Sequence, residues 1–113
     1  MVKKKKNKLG QQDILVLAAI LHLGKTAYGV SIRQEIETKT GQKTSTATVY
    51  LALNRLQDRG FVKTRIGDAE PQRGGRRKCF YEVTRKGEAV FQDALASMMP
   101  MVETFAREWG LIS

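Results

Sequence analysis

The run Thr44-Ser45-Thr46-Ala47-Thr48-Val49-Tyr50-Leu51-Ala52-Leu53-Asn54-Arg55-Leu56-Gln57-Asp58-Arg59-Gly60-Phe61-Val62 changes its hydrophobic period at a glycine. Before Gly60, the residues Val49, Ala52, Leu53 and Leu56 fall on one face of a helix, and Ser45 or Thr46 is placed to cap its first turn. With Val49 as the inward direction and about 100° per residue, Ala47, Leu51, Asn54 and Asp58 point outward and Tyr50 lies on the flank. Past Gly60 the period becomes two: Val62, Thr64 and Ile66 alternate with Lys63 and Arg65, which predicts a strand.

Upstream, Tyr28, Ile32 and Ile36 recur four apart and predict a second amphipathic helix ending at Gly41. Only Gln42, Lys43 and Thr44 separate it from the helix above, so a helix, a short turn and a helix are written in sequence. Further back, Ile14, Leu17, Ala18 and Leu21, together with Leu15, Ala19 and Leu23, predict a first helix with Asp13 at its positive start and Gly24 at its stop. It is apolar nearly all round, which fits a core or subunit-contact position and makes His22 a structural side chain.

Downstream, Cys79, Tyr81 and Val83 alternate with Lys78, Phe80 and Glu82 and predict a strand paired with the first. Residues 67–76 between the strands are rich in turn formers and predict a mobile loop, basic on its returning edge at Arg73, Arg76, Arg77 and Lys78. Thr84 caps a final helix running toward Trp109. Along it Phe91, Leu95, Met98, Val102, Phe105 and Trp109 are spaced 4, 3, 4, 3, 4, a heptad seam, and Pro100 is expected to kink that helix or begin a new segment. A stripe this long needs a partner surface, so these six residues predict a two-fold homodimer interface.

The fold class is therefore mainly α with a two-stranded β wing, a winged helix-turn-helix followed by a C-terminal dimerisation helix. The expected organisation is a flexible basic arm over 1–10, a DNA-binding domain over 11–84 and the dimerisation helix over 85–113, kinked near Pro100.

Charge agrees with this division. Of a net +9 over 113 residues, residues 1–10 hold five lysines and no acid, residues 39–86 sum to +8, and residues 87–113 sum to −3. One basic face suits a polyanion, while the acidic end does something else. The arm reads either as a solvated tail or as a loose phosphate contact in or beside a groove. One cysteine and one histidine exclude an internal disulfide and a Cys/His zinc site, so no cofactor or metal is expected. Cys79, beside Lys78 and Arg77, reads as a structural thiol rather than a redox sensor, because no second cysteine exists to resolve it. No catalytic constellation is present: there is no phosphate-cradling loop, no paired carboxylates in an apolar setting and no nucleophile beside His22. No segment reaches the ~18 apolar residues of a membrane span and no leader is evident, so a cytoplasmic protein without membrane association is expected.

A helix narrow enough for the major groove, flanked by a basic loop, suits double-stranded DNA. The DNA-contact candidates are Lys43, Thr44, Ser45, Thr46, Ala47, Thr48, Tyr50, Leu51 and Asn54 from the helix, with Arg73, Arg76, Arg77 and Lys78 from the wing. The short polar residues and free amides at the helix start suit phosphate oxygens. Ala47 and Leu51 suit thymine methyl groups, and Asn54 suits adenine if it sits deep enough. The alternative is a monomeric winged-helix module that binds RNA or a protein partner.

The stretches Tyr28-Gly29-Val30-Ser31-Ile32, Ser45 through Val62, and Gly75-Arg76-Arg77-Lys78-Cys79-Phe80-Tyr81-Glu82-Val83-Thr84-Arg85-Lys86-Gly87 together resemble the PadR family of bacterial transcriptional regulators. The resemblance implies a winged helix-turn-helix that represses transcription as a homodimer, with Tyr50 and the helix start near DNA and Arg76, Arg77 and Lys78 at its backbone. The short C-terminal segment looks like the compact subgroup, in which one long helix dimerises. Ala47 and Leu51 depart from the Gly and Pro that relatives often carry around the shared tyrosine. Some compact members hold flat aromatic compounds between tryptophans at the dimer centre, so the resemblance admits a small aromatic effector. Trp109 is the only tryptophan here and lies at the helix end, where Met98, Phe105 and Trp109 also read as plain dimer core.

Overall fold

The computed structural model describes residues 8–69 and 77–112. Its elements are α1 (Gln11–Leu23), a 3-10 turn (Gly24–Thr26), α2 (Gly29–Thr40), α3 (Thr46–Asp58), β1 (Val62–Ala69), β2 (Arg77–Val83) and α4 (Arg85–Glu108). The chain is mainly helical with a two-stranded antiparallel wing, a winged helix-turn-helix carrying a long C-terminal helix.

The three short helices meet where their apolar stripes meet. Val16, Leu17, Ala19 and Ile20 of α1, Ile32 and Ile36 of α2, and Val49, Ala52, Leu53 and Leu56 of α3 are all buried, and Phe61, Tyr81 and Val90 close the core from the wing and α4. Each large aliphatic side chain buried this way stabilises the fold by roughly 1.5–3 kcal/mol. One charged group joins them. Asp13 is 6% exposed; its Oδ2 accepts the Gly10 amide (3.2 Å) and its Oδ1 accepts Arg55 of α3 (2.9 Å). The pair ties the start of α1 to α3 across 42 residues of chain.

In the wing, Val62 pairs with Val83, Thr64 with Tyr81 and Ile66 with Cys79, after which the register shifts so that Ala69 pairs with Arg77. β1 thus takes residues 67, 68 and 69 from the predicted loop. Gly67 permits this continuation, because the Phe80 ring across the pair occupies the space that a side chain at 67 would need. The link between α1 and α2 also touches the wing, through a bridge between Tyr28 and Phe80 and through the Tyr81 amide, which donates to the Ala27 carbonyl (2.8 Å).

Thr84 caps α4 as expected, its Oγ1 accepting the Gly87 amide (3.0 Å) while donating to the Gly60 carbonyl (2.7 Å). Pro100 does not begin a new segment. It lies within one helix running to Glu108, because a proline φ is already helical and its missing N–H removes a single bond of the ladder. Thr104 Oγ1 donates back to the Pro100 carbonyl (2.9 Å). Beyond Trp109, Gly110 adopts φ +74°, with its amide on Arg107 (3.2 Å) and the Leu111 amide on Ala106 (2.7 Å). This pair of hydrogen bonds around a left-handed glycine is a Schellman motif, and it folds Leu111 back along the helix. At 1.5 Å per residue, α4 is roughly 36 Å long, and the molecule measures 52 × 36 × 21 Å.

Candidate nucleic-acid interface

The turn ahead of α3 is set by α2. Glu37, in the last turn of α2, accepts the Thr44 amide (2.9 Å) and Arg33 (3.1 Å). The hydrogen bond from the Thr44 backbone is the main reason its carboxyl is held below the ordinary glutamate range, with Arg33 and Lys43 acting in the same direction against desolvation. Ser45, in extended conformation, then caps α3 by accepting the Thr48 amide (3.0 Å), and its hydroxyl also meets Thr48 Oγ1 (2.8 Å). The polar helix start is thus partly satisfied from within. Thr44 and Thr48 commit their amides to Glu37 and Ser45, which leaves the Thr46 and Ala47 amides at the open end of the helix among the described residues.

Along α3, residues Ala47, Leu51, Asn54 and Asp58 form an exposed face opposite the buried one, as the periodicity predicts. Lys43, Ser45, Thr46 and Thr48 are exposed beside it and Thr44 is half-buried. Tyr50 sits on one flank and is 39% exposed. Its hydroxyl end rests on Gly29 at the start of α2, in the space that a side chain there would take. Beyond it lies Tyr81, whose hydroxyl is pushed up to about 12 by burial, by Cys79 and by Tyr50. Tyr50 is therefore a strut between α3, the start of α2 and the wing. The signal for it was faint, a glycine just inside a helix start, and nothing local links position 29 to position 50.

The wing joins this flank. Lys78 Nζ stands 4.3 Å from the centre of the Tyr28 ring, and Tyr28 meets Phe80 edge-on at 5.9 Å. Arg65 stacks on Phe80 (4.7 Å), pairs with Glu82 (3.3 Å) and donates to the Lys25 carbonyl (3.1 Å). That arginine fixes the wing to the 3-10 turn and was not among the expected site residues. Arg73 and Arg76 lie outside the described residues, as does the side chain of Arg77. The other flank of α3, marked by Thr48 and Arg55, carries the start of α1 through the Asp13–Arg55 pair.

α4 is apolar where it leaves the domain. Phe91 and Leu95 are half-buried, whereas Met98, Val102, Phe105 and Trp109 are exposed, Trp109 by 70%. The Phe105 and Trp109 rings lie 5.4 Å apart. Met99, Met101, Leu111 and Ile112 are exposed as well, so the apolar surface is wider than the six-residue seam. Among the described residues no group of three His, Cys, Asp or Glu side chains could hold a metal ion, and no helix is long and apolar enough to cross a membrane.

Residues 16–93 match the family model described as "Transcriptional regulator PadR-like family". A protein of Lysinibacillus sphaericus carrying no functional description is 33% identical over 86 residues, which cover 74% of each chain. Among solved structures, one from Thermoplasma acidophilum superposes with a TM-score of 0.68 at 18% identity, covering 90% of this chain and 95% of that one. A PadR family transcription regulator from Clostridium difficile gives a TM-score of 0.65 at 22% identity, covering 88% and 98%. At these identities the structural likenesses establish the winged-helix fold.

Proposed function

Because the chain belongs to the PadR-like family of transcriptional regulators, a DNA-binding and non-enzymatic family, we propose that it is a sequence-specific repressor acting on double-stranded DNA as a homodimer in the cytoplasm. The observation that carries this reading is the exposed face of α3, rimmed by short polar residues at its start and bounded on the Tyr50 flank by a basic wing. A helix held this way enters a major groove with its first turns foremost. Thr46, Ala47 and Tyr50 meet bases or their methyl groups, Leu51 and Asn54 follow in the next turn, and Lys43, Thr44, Ser45 and Thr48 border the phosphates. On the wing, Lys78 serves the backbone, as do Arg73, Arg76 and Arg77.

The exposed stripe Met98, Val102, Phe105 and Trp109 supports pairing of α4 with a second copy, since an apolar surface of this extent is costly to leave in water. A two-fold relation then presents two recognition helices to a pseudo-palindromic site with half-sites about 34 Å apart. The test is a fluorescence-anisotropy titration against the DNA upstream of the protein's own gene and against a scrambled duplex, at low and near-physiological salt. Preference by more than about 10³ at the higher salt supports the reading. Equal affinities, both lost as salt rises, would leave only an electrostatic footprint and favour an RNA or protein partner.

A further inference from the structure

We propose that Met99 and Met101 are oxidation sites, at which a peroxide loosens the pairing of α4 and so weakens the hold on DNA. The inference rests on the homodimer reading above and adds to it a covalent modification that controls it.

Three of the chain's four methionines, Met98, Met99 and Met101, fall within four residues. All three are exposed, Met99 by 41% and Met101 by 68%. Their places around α4 differ. At about 100° per residue, Met98 lies on the line of Leu95, Val102 and Phe105, while Met99 and Met101 stand about 80° to either side of it. A second helix laid along the stripe therefore covers Met98 and leaves the other two at the borders of the contact, within reach of a dissolved oxidant. Pro100, between them, supplies no N–H to the carbonyl one turn back at Ala96, so the helix ladder is one bond short at the same level.

An unbranched thioether suits a border of this kind while it stays apolar. In the oxidation, a sulfur lone pair attacks one oxygen of hydrogen peroxide and the O–O bond breaks. The transferred oxygen gives up its proton to the departing hydroxide, which leaves as water; sulfur loses two electrons and the peroxide gains them. The product is a polar sulfoxide. In a two-fold pair the surface that meets it is the same stripe, where Met98, Val102 and Phe105 carry no side-chain donor for its oxygen. Pairing the helices then costs the desolvation of that oxygen. The one thiol, Cys79, is half-buried in β2, outside the α4 stripe.

The test treats the full chain with hydrogen peroxide, locates the added oxygens by peptide mass spectrometry, and measures dimer dissociation by light scattering and affinity for the DNA upstream of the protein's own gene. Sulfoxide at 99 and 101 is expected to raise the dimer dissociation constant by about tenfold or more and to weaken DNA binding, and methionine sulfoxide reductase should restore both. The double variant Met99→Leu, Met101→Leu should pair like the untreated chain before and after peroxide, whereas Cys79→Ser should respond as wild type does. Unchanged dimerisation with both residues oxidised would overturn the proposal, as would an equal loss of pairing in the leucine variant or a lost response in Cys79→Ser. An untreated chain that is monomeric would instead overturn the homodimer reading on which it rests.

Discussion

Replacing Gly87 by alanine tests how the long helix is fixed to the domain. Gly87 is the third residue of α4, and a methyl group there would stand 2.9 Å from the carbonyl carbon of Phe61, 3.0 Å from its Cα and closer still to its carbonyl oxygen. Carbon and oxygen atoms approach to about 3.3 Å at best. All three neighbours are backbone atoms, so no rotamer change relieves the overlap. Phe61 resists retreat: its amide donates to Leu56 (2.9 Å), its carbonyl accepts the Thr84 amide (3.0 Å) and its ring is buried. The helix must shift instead, against the cap in which Thr84 bonds both Gly87 and Gly60. Overpacking of this kind costs about 1–3 kcal/mol, and a loosened cap about 1 kcal/mol more. The better helix propensity of alanine returns at most about 1 kcal/mol. The net loss of roughly 1–3 kcal/mol lowers the melting temperature by about 5–20 °C, at 4–8 °C per kcal/mol for a domain of this size. Calorimetry at one fixed protein concentration reads it, because the melting point of the proposed dimer would depend on concentration. A variant melting within about 2 °C of wild type would refute the argument that backbone contact at Phe61 sets the root of α4.

The same substitution at Gly29 is expected to behave differently, since there the atoms nearest the methyl group belong to the hydroxyl end of the Tyr50 side chain rather than to backbone: stability changes by less than about 1 kcal/mol, while displacement of Tyr50 lowers operator affinity more than affinity for random DNA. Equal loss on both DNAs would remove Tyr50 from the readout. For Glu37, a depressed folded pKa means that its grip on Thr44 is complete above the ordinary glutamate value of 4.5 and is lost as pH falls through the lower folded value. The Thr44 amide resonance should therefore titrate with a midpoint below 4.5, and Glu37→Gln should abolish that titration; a midpoint at or above the ordinary value would contradict the contact. Phe105→Glu places a charge in the exposed stripe of α4, so light scattering should report a monomer and operator affinity should drop. A dimer unchanged by it would move the interface elsewhere.

Most of the architecture was legible because it is written in local periodicity. The stripe Val49, Ala52, Leu53 and Leu56 is buried as its spacing requires, and the caps at Ser45 and Thr84 form where a hydroxyl precedes an apolar run. The departure at the wing falls where a local rule met a longer-range partner. β1 outran its predicted end because the Phe80 ring needs the space at Gly67, a fact that becomes visible only once the strands are paired. Of the two readings of Pro100, a kink or a new segment, the new segment does not form, because a single missing bond does not end a helix already 15 residues long at that point.

The candidate site was legible in its exposed face and not in its supports. Ala47, Leu51 and Asn54 follow from the wheel alone, because whatever is not core on a short helix is surface. The groups that hold α3 in place come from far along the chain: Asp13 reaches Arg55 from 42 residues away, and Gly29 receives Tyr50 from 21. A recognition helix must enter a groove in one orientation, and orientation is a property of such distant supports rather than of the helix's own sequence. On the proposed DNA-binding reading, operator preference is therefore expected to be more sensitive to Gly29 and Asp13, which have no marked local signal, than the side chains proposed to face the bases would by themselves suggest.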